Sequence, residues 1–410
     1  MTRMHAARWW GAALFAAVFS LPVLARQDQA KPSGAPGPAL RAEDPAALRS
    51  QIDDLLRRIN TAVGAADQPA YLACVSTADP CFATEQKNWA LDLGRKAPES
   101  FSVEISGEEV SLASDGAAET RIKWAWRMPG GKDRSLSFVG RFVRGETGWL
   151  YAGEKWNVVE GDRCLVSYAE GLEEVAKDVA AVLPEIRAAA HKEFGLEDDK
   201  HITERIQQVK LYSSQKHLQH SIYLSYSDGL SGWNEPAEAV KILAHPMTGK
   251  GTLRTLLGHE YGHVATFELG PKSTEMPWWV LEGMAELTSE PYAKNGPAAD
   301  RRVQRWAGNG GLRKWEQLAD FHGEALQHMQ QVYEQGHAMV RYIMARFGRD
   351  KLNAWLRDMA QGDKIEDATR KTLGIEFEAL DQEWRESIKP AKKPEKDPAQ
   401  EPEREPAAKP

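Results

Sequence analysis

Two histidines four positions apart constrain this chain more than any other feature of its sequence. His259 and His263 lie in the run Gly258-His-Glu-Tyr-Gly-His263. On an α-helix this spacing places both imidazoles on one face, one turn apart. Two neutral imidazoles so placed can bind one zinc ion, and Glu260 lies beside the first of them, on the open side of the same site. The segment is therefore predicted to be a helix that carries a metal site, with Glu260 as a general base.

A carboxylate further along the chain completes the predicted ligand set. Eighteen residues separate His263 from Glu282, which opens the sequence Glu282-Gly-Met-Ala-Glu286. A second helix carrying Glu282 would supply a third protein ligand and leave a fourth position open. Two imidazoles and one carboxylate in a tetrahedral site favour Zn²⁺ over harder ions, so zinc is the predicted cofactor. The alternative is a pair of helical histidines that cap or fill a core.

Glu286 follows Glu282 by one helical turn, so its carboxylate faces the same site. It is predicted to accept the second N–H of a histidine ligand and so to fix the tautomer of that ring. The alternative for Glu286 is a solvated surface glutamate.

These residues resemble the gluzincin branch of the peptidase MA clan, which includes aminopeptidase N. The resemblance rests on His259-Glu260-x-x-His263, the eighteen-residue gap and Trp279-x-x-Glu282-Gly283-x-Ala285. Val332-Tyr333-Glu334-Gln335-Gly336 is similar to the Tyr-Glu-Lys-Gly segment of that family. The tyrosine of that segment stabilises the tetrahedral intermediate, so the resemblance implies the same role for Tyr333. The resemblance covers roughly residues 165–388 and is strongest from 254 to 347.

The chain departs from that family in two places. The asparagine that precedes the third ligand in the family is Leu281 here, and the Gly-x-Met-Glu-Asn segment that holds a free amino terminus in aminopeptidases is absent. The resemblance therefore implies zinc-dependent peptide hydrolysis without aminopeptidase specificity, and the simpler peptidase-MA-like domains of bacterial envelope proteins are the more similar group. Two alternatives stay open: a catalytically silent protein that binds zinc and peptide, and an envelope binding or scaffold protein that acts through its N-terminal domain.

The amino terminus has the features of a secretory signal peptide over residues 1–25. Arg3 and Arg8 accompany an apolar run at 9–24, and Val23-Leu24-Ala25 offers small residues for cleavage near Ala25. The alternative is an uncleaved anchor. No later stretch reaches the eighteen or so apolar residues of a transmembrane helix, so no stable membrane span is expected after cleavage. The chain is therefore predicted to be periplasmic or secreted.

Composition and charge indicate a globular chain without a nucleic-acid partner. The 410 residues are 42% hydrophobic, enough for two domains, and the net charge of −7 is mild. No basic block indicates nucleic acid, and charge alone indicates no other partner. The predicted partner, a peptide or protein substrate, follows from the metallopeptidase site, and oligomeric state is left open. Cys74 and Cys81 could form a local disulfide in an exported protein; the alternative is that these two and Cys164 are buried free thiols.

Residue periodicity predicts an α+β fold in two domains. A flexible linker at 26–43 precedes a helical stripe from about Pro45, and alternating apolar residues between 101 and 151 predict an antiparallel sheet. Residues 44–160 are therefore predicted to form an α+β domain that vaguely resembles an NTF2-like cone, by fold-level analogy alone. Its aromatic strands line either a ligand pocket or simply a core.

The second predicted domain, residues 161–388, is a mostly helical zinc metallopeptidase domain with a small sheet. Strands are predicted at 206–211, 222–224 and 239–243. In gluzincins, the edge strand of such a sheet lies along the active-site cleft and can pair with an extended substrate. His217 and His220 are predicted to be solvated histidines of a loop.

The remaining predictions concern the motif helices and the carboxyl terminus. The two zinc helices are predicted at 252–268 and 278–290, separated by a proline-bounded break. The chain after Gly311 is predicted to be helical to about Lys389. One proline at every fourth position from 390 to 410 prevents regular structure, so residues 389–410 are predicted to be a disordered tail.

Overall fold

The computed structural model describes residues 44–225, 229–293 and 296–389. The predicted signal peptide, the linker, and the predicted tail from residue 390 onward lie outside the described residues. The described part has a mixed α/β fold with two five-stranded sheets and a largely helical C-terminal region, as the sequence predicts. Within these ranges no helix has both the length and the apolar character needed to cross a bilayer.

Three helices and an antiparallel sheet enclose the first core. The helices are α1 (Pro45–Gly64), α2 (Gln68–Leu72) and α3 (Pro80–Arg95). The strands are β1 (Ser100–Ile105), β2 (Ser111–Leu112), β3 (Ala118–Arg127), β4 (Arg134–Gly145) and β5 (Gly148–Glu154). They lie in the order β1-β3-β4-β5, with β2 paired to β3. Alternate side chains of β3, namely Ile122, Trp124 and Trp126, are buried, as expected for a sheet with one face on a core. The likeness to an NTF2-like cone stays a prediction.

The second sheet is mixed and lies in the order β6-β7-β8-β10-β9. Its strands are β6 (Asn157–Gly161), β7 (Cys164–Tyr168), β8 (Gln207–Tyr212), β9 (Gly232–Trp233) and β10 (Val240–Leu243). The central strands β7, β8 and β10 are parallel, whereas β6 and β9 are antiparallel to their neighbours. Strand β6 spans the predicted domain boundary at 160/161 and pairs within the second sheet. Strand β9 forms the opposite edge of this sheet.

Helices surround the second sheet, and all of those described except α6 contribute to one continuous apolar core with it. They are α4 (Glu173–Phe194), α5 (Lys200–Thr203), α6 (Gln215–His220), α7 (Lys250–Phe267), α8 (Trp278–Ser289), α9 (Gly296–Asn309), α10 (Met329–Phe347), α11 (Arg349–Ala360), α12 (Ile365–Ala368) and α13 (Phe377–Ser387). Short 3₁₀ turns occupy Ser273–Glu275, Trp315–Leu318 and Glu324–His328, and a π turn occupies Thr369–Leu373. The two predicted motif helices are α7 and α8, within two residues of their predicted ends.

Two predictions for the segment between β8 and β9 are wrong. Residues 222–224 form a turn after α6 and not a strand, because Ile222 packs into a small cluster around Leu218 while Leu224 packs into the first core. His217 and His220 lie on α6 and are buried, not solvated in a loop. The physical reason is that α6 packs against the first sheet, where Nε2 of His217 lies 2.6 Å from Oε2 of Glu154.

A buried ionic cluster joins the first core to the second sheet. On α3, Glu85 lies 2.5 Å from Nζ of Lys210 on β8 and 3.7 Å from Nζ of Lys241 on β10. Lys241 also lies 2.7 Å from Glu238, and none of the four side chains is more than 9% exposed. Burial alone would raise the pKa of Glu85, but the two ammonium groups hold that pKa below its ordinary value. The two carboxylates and the two ammonium groups of this cluster therefore neutralise one another inside the protein.

The three cysteines are free thiols in the structure. Cys74 and Cys164 are buried and Cys81 is half-buried. Cys74 and Cys81 therefore do not form the local disulfide that the sequence left open. Burial raises the pKa of all three thiols, that of Cys81 to about 12. Thiols of this kind are structural rather than nucleophilic.

Candidate metal centre

Helices α7 and α8 bring three metal-ligating side chains together. His259 and His263 lie one turn apart on α7 and Glu282 lies on α8, with one ligand atom of each within 4.8 Å of the others. Oε2 of Glu282 is 3.3 Å from Nε2 of His259 and 3.4 Å from Nε2 of His263. The three side chains that the sequence spacing singled out therefore converge at one point.

Glycines inside the motifs allow the helices to pack this closely. A Cβ added to Gly283 would lie 2.8 Å from the backbone of Gly336 on α10, and one added to Gly336 would lie 2.4 Å from the carbonyl oxygen of Trp279. Such distances are too short for a side chain, so α8 and α10 cross with their backbones in contact. This crossing explains why glycine follows Glu282 and why Gly336 follows Tyr333 by three positions.

One buried carboxylate oxygen at the convergence point has no hydrogen-bond donor among the described residues. Oε1 of Glu282 accepts a hydrogen bond from Nε1 of Trp278 at 2.7 Å. Oε2 faces the two imidazoles without hydrogen-bond geometry and is without a hydrogen-bond partner in the described part of the chain. Burial would raise the pKa of Glu282, but His263 and His259 hold it well below its ordinary value. A buried anionic oxygen of this kind is costly unless it binds a cation, so this donor set fits a zinc ion.

Glu286 lies behind the first histidine, where the sequence placed it. Its Oε1 is 3.2 Å from Nδ1 of His259. Burial would lower the pKa of His259, but Glu282 and Glu286 raise it well above its ordinary value. If the Nδ1 proton of His259 is directed at Glu286, the lone pair of Nε2 is left for a metal ion. Nδ1 of His263 is buried and has no such partner in the described ranges.

Glu260 lies between the ligand cluster and the edge of the second sheet. The residue is only 4% exposed. A Cβ added to Gly232 on β9 would lie 2.0 Å from Oε1 of Glu260, so only glycine lets the edge strand pass this carboxylate. Burial raises the pKa of Glu260, and the neighbouring imidazoles of His259 and His263 oppose that rise. The carboxylate therefore lies beside the strand with which an extended peptide could pair.

A cleft of about 470 Å³ opens over these side chains. Tyr333 on α10 lines the cleft, and its ring is stacked on that of His259 with 5.8 Å between the ring centroids. Phe267, Met276 and Trp278 contribute apolar wall to the same space. This volume is typical of pockets that bind small ligands or a few residues of a peptide.

Sequence reasoning missed several residues that line this cleft. Glu235 follows β9, and burial together with the charge of Glu238 raises its pKa to about 7. Phe321 closes part of the cleft, with its ring centroid 4.9 Å from that of Trp278 and 6.0 Å from that of Trp233. None of these side chains belongs to a local pattern. The one available signal was Gly232, since glycine in a strand often marks close approach of another group.

Comparison with known families agrees with this geometry. Residues 202–390 match a family model described as the peptidase MA superfamily. The matched range contains α7, α8 and α10, and therefore every residue of the candidate centre. The match supports the MA clan for this region and indicates a peptidase of the metal-dependent kind. No curated protein matches the chain.

Proposed function

We propose that this chain is a zinc-dependent metallopeptidase of gluzincin type that acts in the periplasm or is secreted. The observation that carries the proposal is the convergence of His259, His263 and Glu282 in a cleft that also contains Glu260 and Tyr333. The family match over residues 202–390 supports it. Export rests on the signal-like sequence of residues 1–25.

Each side chain of the site has a role in this proposal. His259, His263 and Glu282 would hold the zinc ion, which when bound activates a water molecule and polarises the scissile carbonyl group. Glu260 takes a proton from the attacking water and passes it to the leaving amine. Tyr333 donates a hydrogen bond to the oxyanion that develops on the substrate.

Replacement of Glu282 tests the ligand set directly. The purified wild-type chain should hold one zinc ion per molecule, and Glu282→Ala should hold far less, because two remaining protein ligands bind zinc too weakly. Elemental analysis after dialysis measures the zinc content, and circular dichroism reports the fold. Glu290→Ala is the matched control, since Glu290 follows α8 and pairs with Arg341 instead. Full zinc content in Glu282→Ala would remove Glu282 from the ligand set.

Tyr333→Phe should lower kcat for peptide hydrolysis by about 10²–10³-fold while zinc content stays unchanged. Phenylalanine keeps the ring that stacks on His259 but lacks the hydroxyl donor, whose effect is felt mainly in the transition state. Tyr342→Phe is the control on the same helix, because the hydroxyl of Tyr342 accepts from Arg346 and does not line the cleft. A wild-type kcat in Tyr333→Phe would assign the oxyanion donor to another residue.

A further inference from the structure

A second cavity lies between the first sheet and the second. It has a volume of about 360 Å³ and is bordered by α3, β5, β8 and α6. It shares no lining residue with the cleft of the candidate metal centre within the described ranges. Its walls carry aromatic rings from both parts of the fold, among them Tyr71, Trp89, Trp124, Phe138, Tyr151 and Tyr212.

The carboxylates that line this cavity have ion-pair or hydrogen-bond partners within the described part of the protein, including Asp79, which accepts from the backbone of Cys81. Glu119 lies 2.9 Å from Arg141 and 2.5 Å from Lys155. Glu154 lies 2.6 Å from His217, and Glu85 pairs with Lys210 as described above. A ligand of this cavity therefore does not have to provide a partner for these carboxylates, and the aromatic walls favour a ring system.

Two polar atoms in this aromatic environment have no hydrogen-bond partner within the residues that the structure describes. Nε2 of His220 and Nε1 of Trp124 are buried and make no hydrogen bond in the described part of the protein. The two residues are 8% and 1% exposed, both line the cavity, and their ring centroids are 4.7 Å apart. Burial lowers the pKa of His220 to about 3, so the imidazole is neutral. Native proteins rarely leave such groups unsatisfied, because each one costs about 1–3 kcal/mol.

We propose that this cavity binds a small aromatic or alicyclic molecule that carries an oxygen acceptor, a carbonyl or a carboxylate. The indole N–H of Trp124 can only donate, so its partner must be an acceptor. The neutral imidazole of His220 is a second donor in the tautomer that carries its proton on Nε2. The volume lies at the lower end of the range for ligand pockets, which suits one fused ring system rather than a folded peptide.

Two probes with the same ring system test the proposal on the full chain. These are 2-acetylnaphthalene, which has a carbonyl oxygen, and 2-ethylnaphthalene, which has none. Fluorescence titration should give saturable binding of one probe per chain, with the ketone bound about tenfold more tightly, the effect of one or two hydrogen bonds. Glu282→Ala should bind both probes like wild type, since Glu282 does not line this cavity.

Two neighbouring tryptophans provide a matched pair of variants. Trp126 lies two residues from Trp124 on β3, is 3% exposed and also has an indole N–H without a partner in the described ranges, but it does not line the cavity. Trp124→Phe should remove most of the preference for the ketone, whereas Trp126→Phe should retain it. Where Trp124→Phe does not fold, His220→Phe should reduce the preference and His220→Gln should keep part of it.

Two results would overturn the proposal. One is the absence of saturable binding of either probe to the wild-type chain, which would mean that water alone fills the cavity. The other is an unchanged ketone preference in both Trp124→Phe and His220→Phe, which would place the bound probe elsewhere.

Discussion

Glu260→Gln should lower kcat for peptide hydrolysis by about 10²–10⁴-fold, the usual effect of removing a general base. Glutamine has the shape of glutamate and can occupy the same space beside Gly232, but it cannot accept a proton from the attacking water. Glu260 is not among the three converging ligands, so zinc content should stay at one ion per chain. The substrate for the assay comes from cleavage of a peptide library by the zinc-loaded wild-type chain, followed by steady-state kinetics on the best peptide.

The control for this prediction is Glu268→Gln, just beyond the end of the same helix. Glu268 forms an ion pair with Arg205 and does not line the cleft, so its replacement should leave kcat unchanged. A zinc-loaded Glu260→Gln protein as active as wild type would show that the measured rate comes from another base or from a contaminant. A wild-type chain that binds zinc and peptide but cleaves nothing would support the catalytically silent alternative.

The convergence of the three candidate metal ligands could be predicted from the sequence because it depends mainly on the spacing of residues within two neighbouring helices. His259, Glu260 and His263 lie within two turns of one helix, and the helical period alone fixes which of them share a face. The distance to Glu282 spans one break and one turn of a second helix, so the convergence on α7 and α8 followed from spacing. Tyr333 could be identified only through the family resemblance, because the local sequence of α10 does not indicate that this side chain reaches the cleft.

The residues that could not be predicted act through contacts between distant segments. Gly232 meets Glu260 across the edge of the second sheet, and Glu85 pairs with Lys210 over 125 positions of sequence. His217 and His220 are buried because α6 packs against distant segments of the chain. His217 lies 2.6 Å from Glu154, which is 63 positions away, and the ring centroid of His220 lies 4.7 Å from that of Trp124. Periodicity describes which face of an element is apolar, and it does not say which partner covers that face.

Glu85→Gln should destabilise the folded chain by about 3–5 kcal/mol, the cost of leaving one member of a buried ion pair without its partner. The carboxylate of Glu85 contacts Nζ of Lys210, whose side chain is 9% exposed, and lies near Nζ of Lys241. Lys241 keeps Glu238 after the change, but Lys210 loses the only carboxylate within 4 Å that the described residues provide. Urea denaturation measures the change in the free energy of unfolding.

Glu185→Gln is the matched control at the surface. Glu185 forms two hydrogen bonds of 2.9 and 2.8 Å with Arg254, yet its side chain is 61% exposed. An exposed pair of this kind contributes about 1 kcal/mol or less, so the control should unfold close to wild type. Equal stability losses in Glu85→Gln and Glu185→Gln would show that the buried cluster does not stabilise the contact between α3 and the second sheet.

Two further measurements separate the charge effect from a packing effect. Glu85→Gln combined with Lys210→Met leaves no buried charge of this pair unpartnered, so the double variant should be more stable than Glu85→Gln alone.

The second measurement is the pH dependence of stability. Because the folded-state pKa of Glu85 lies below the ordinary value of 4.5, its stabilisation is fully present above that pH and is lost as pH falls through the folded pKa. The stability difference between wild type and Glu85→Gln should therefore be constant near neutral pH and shrink only below about pH 4.5. A difference that persists unchanged in acid would assign the loss to packing rather than to the ion pair.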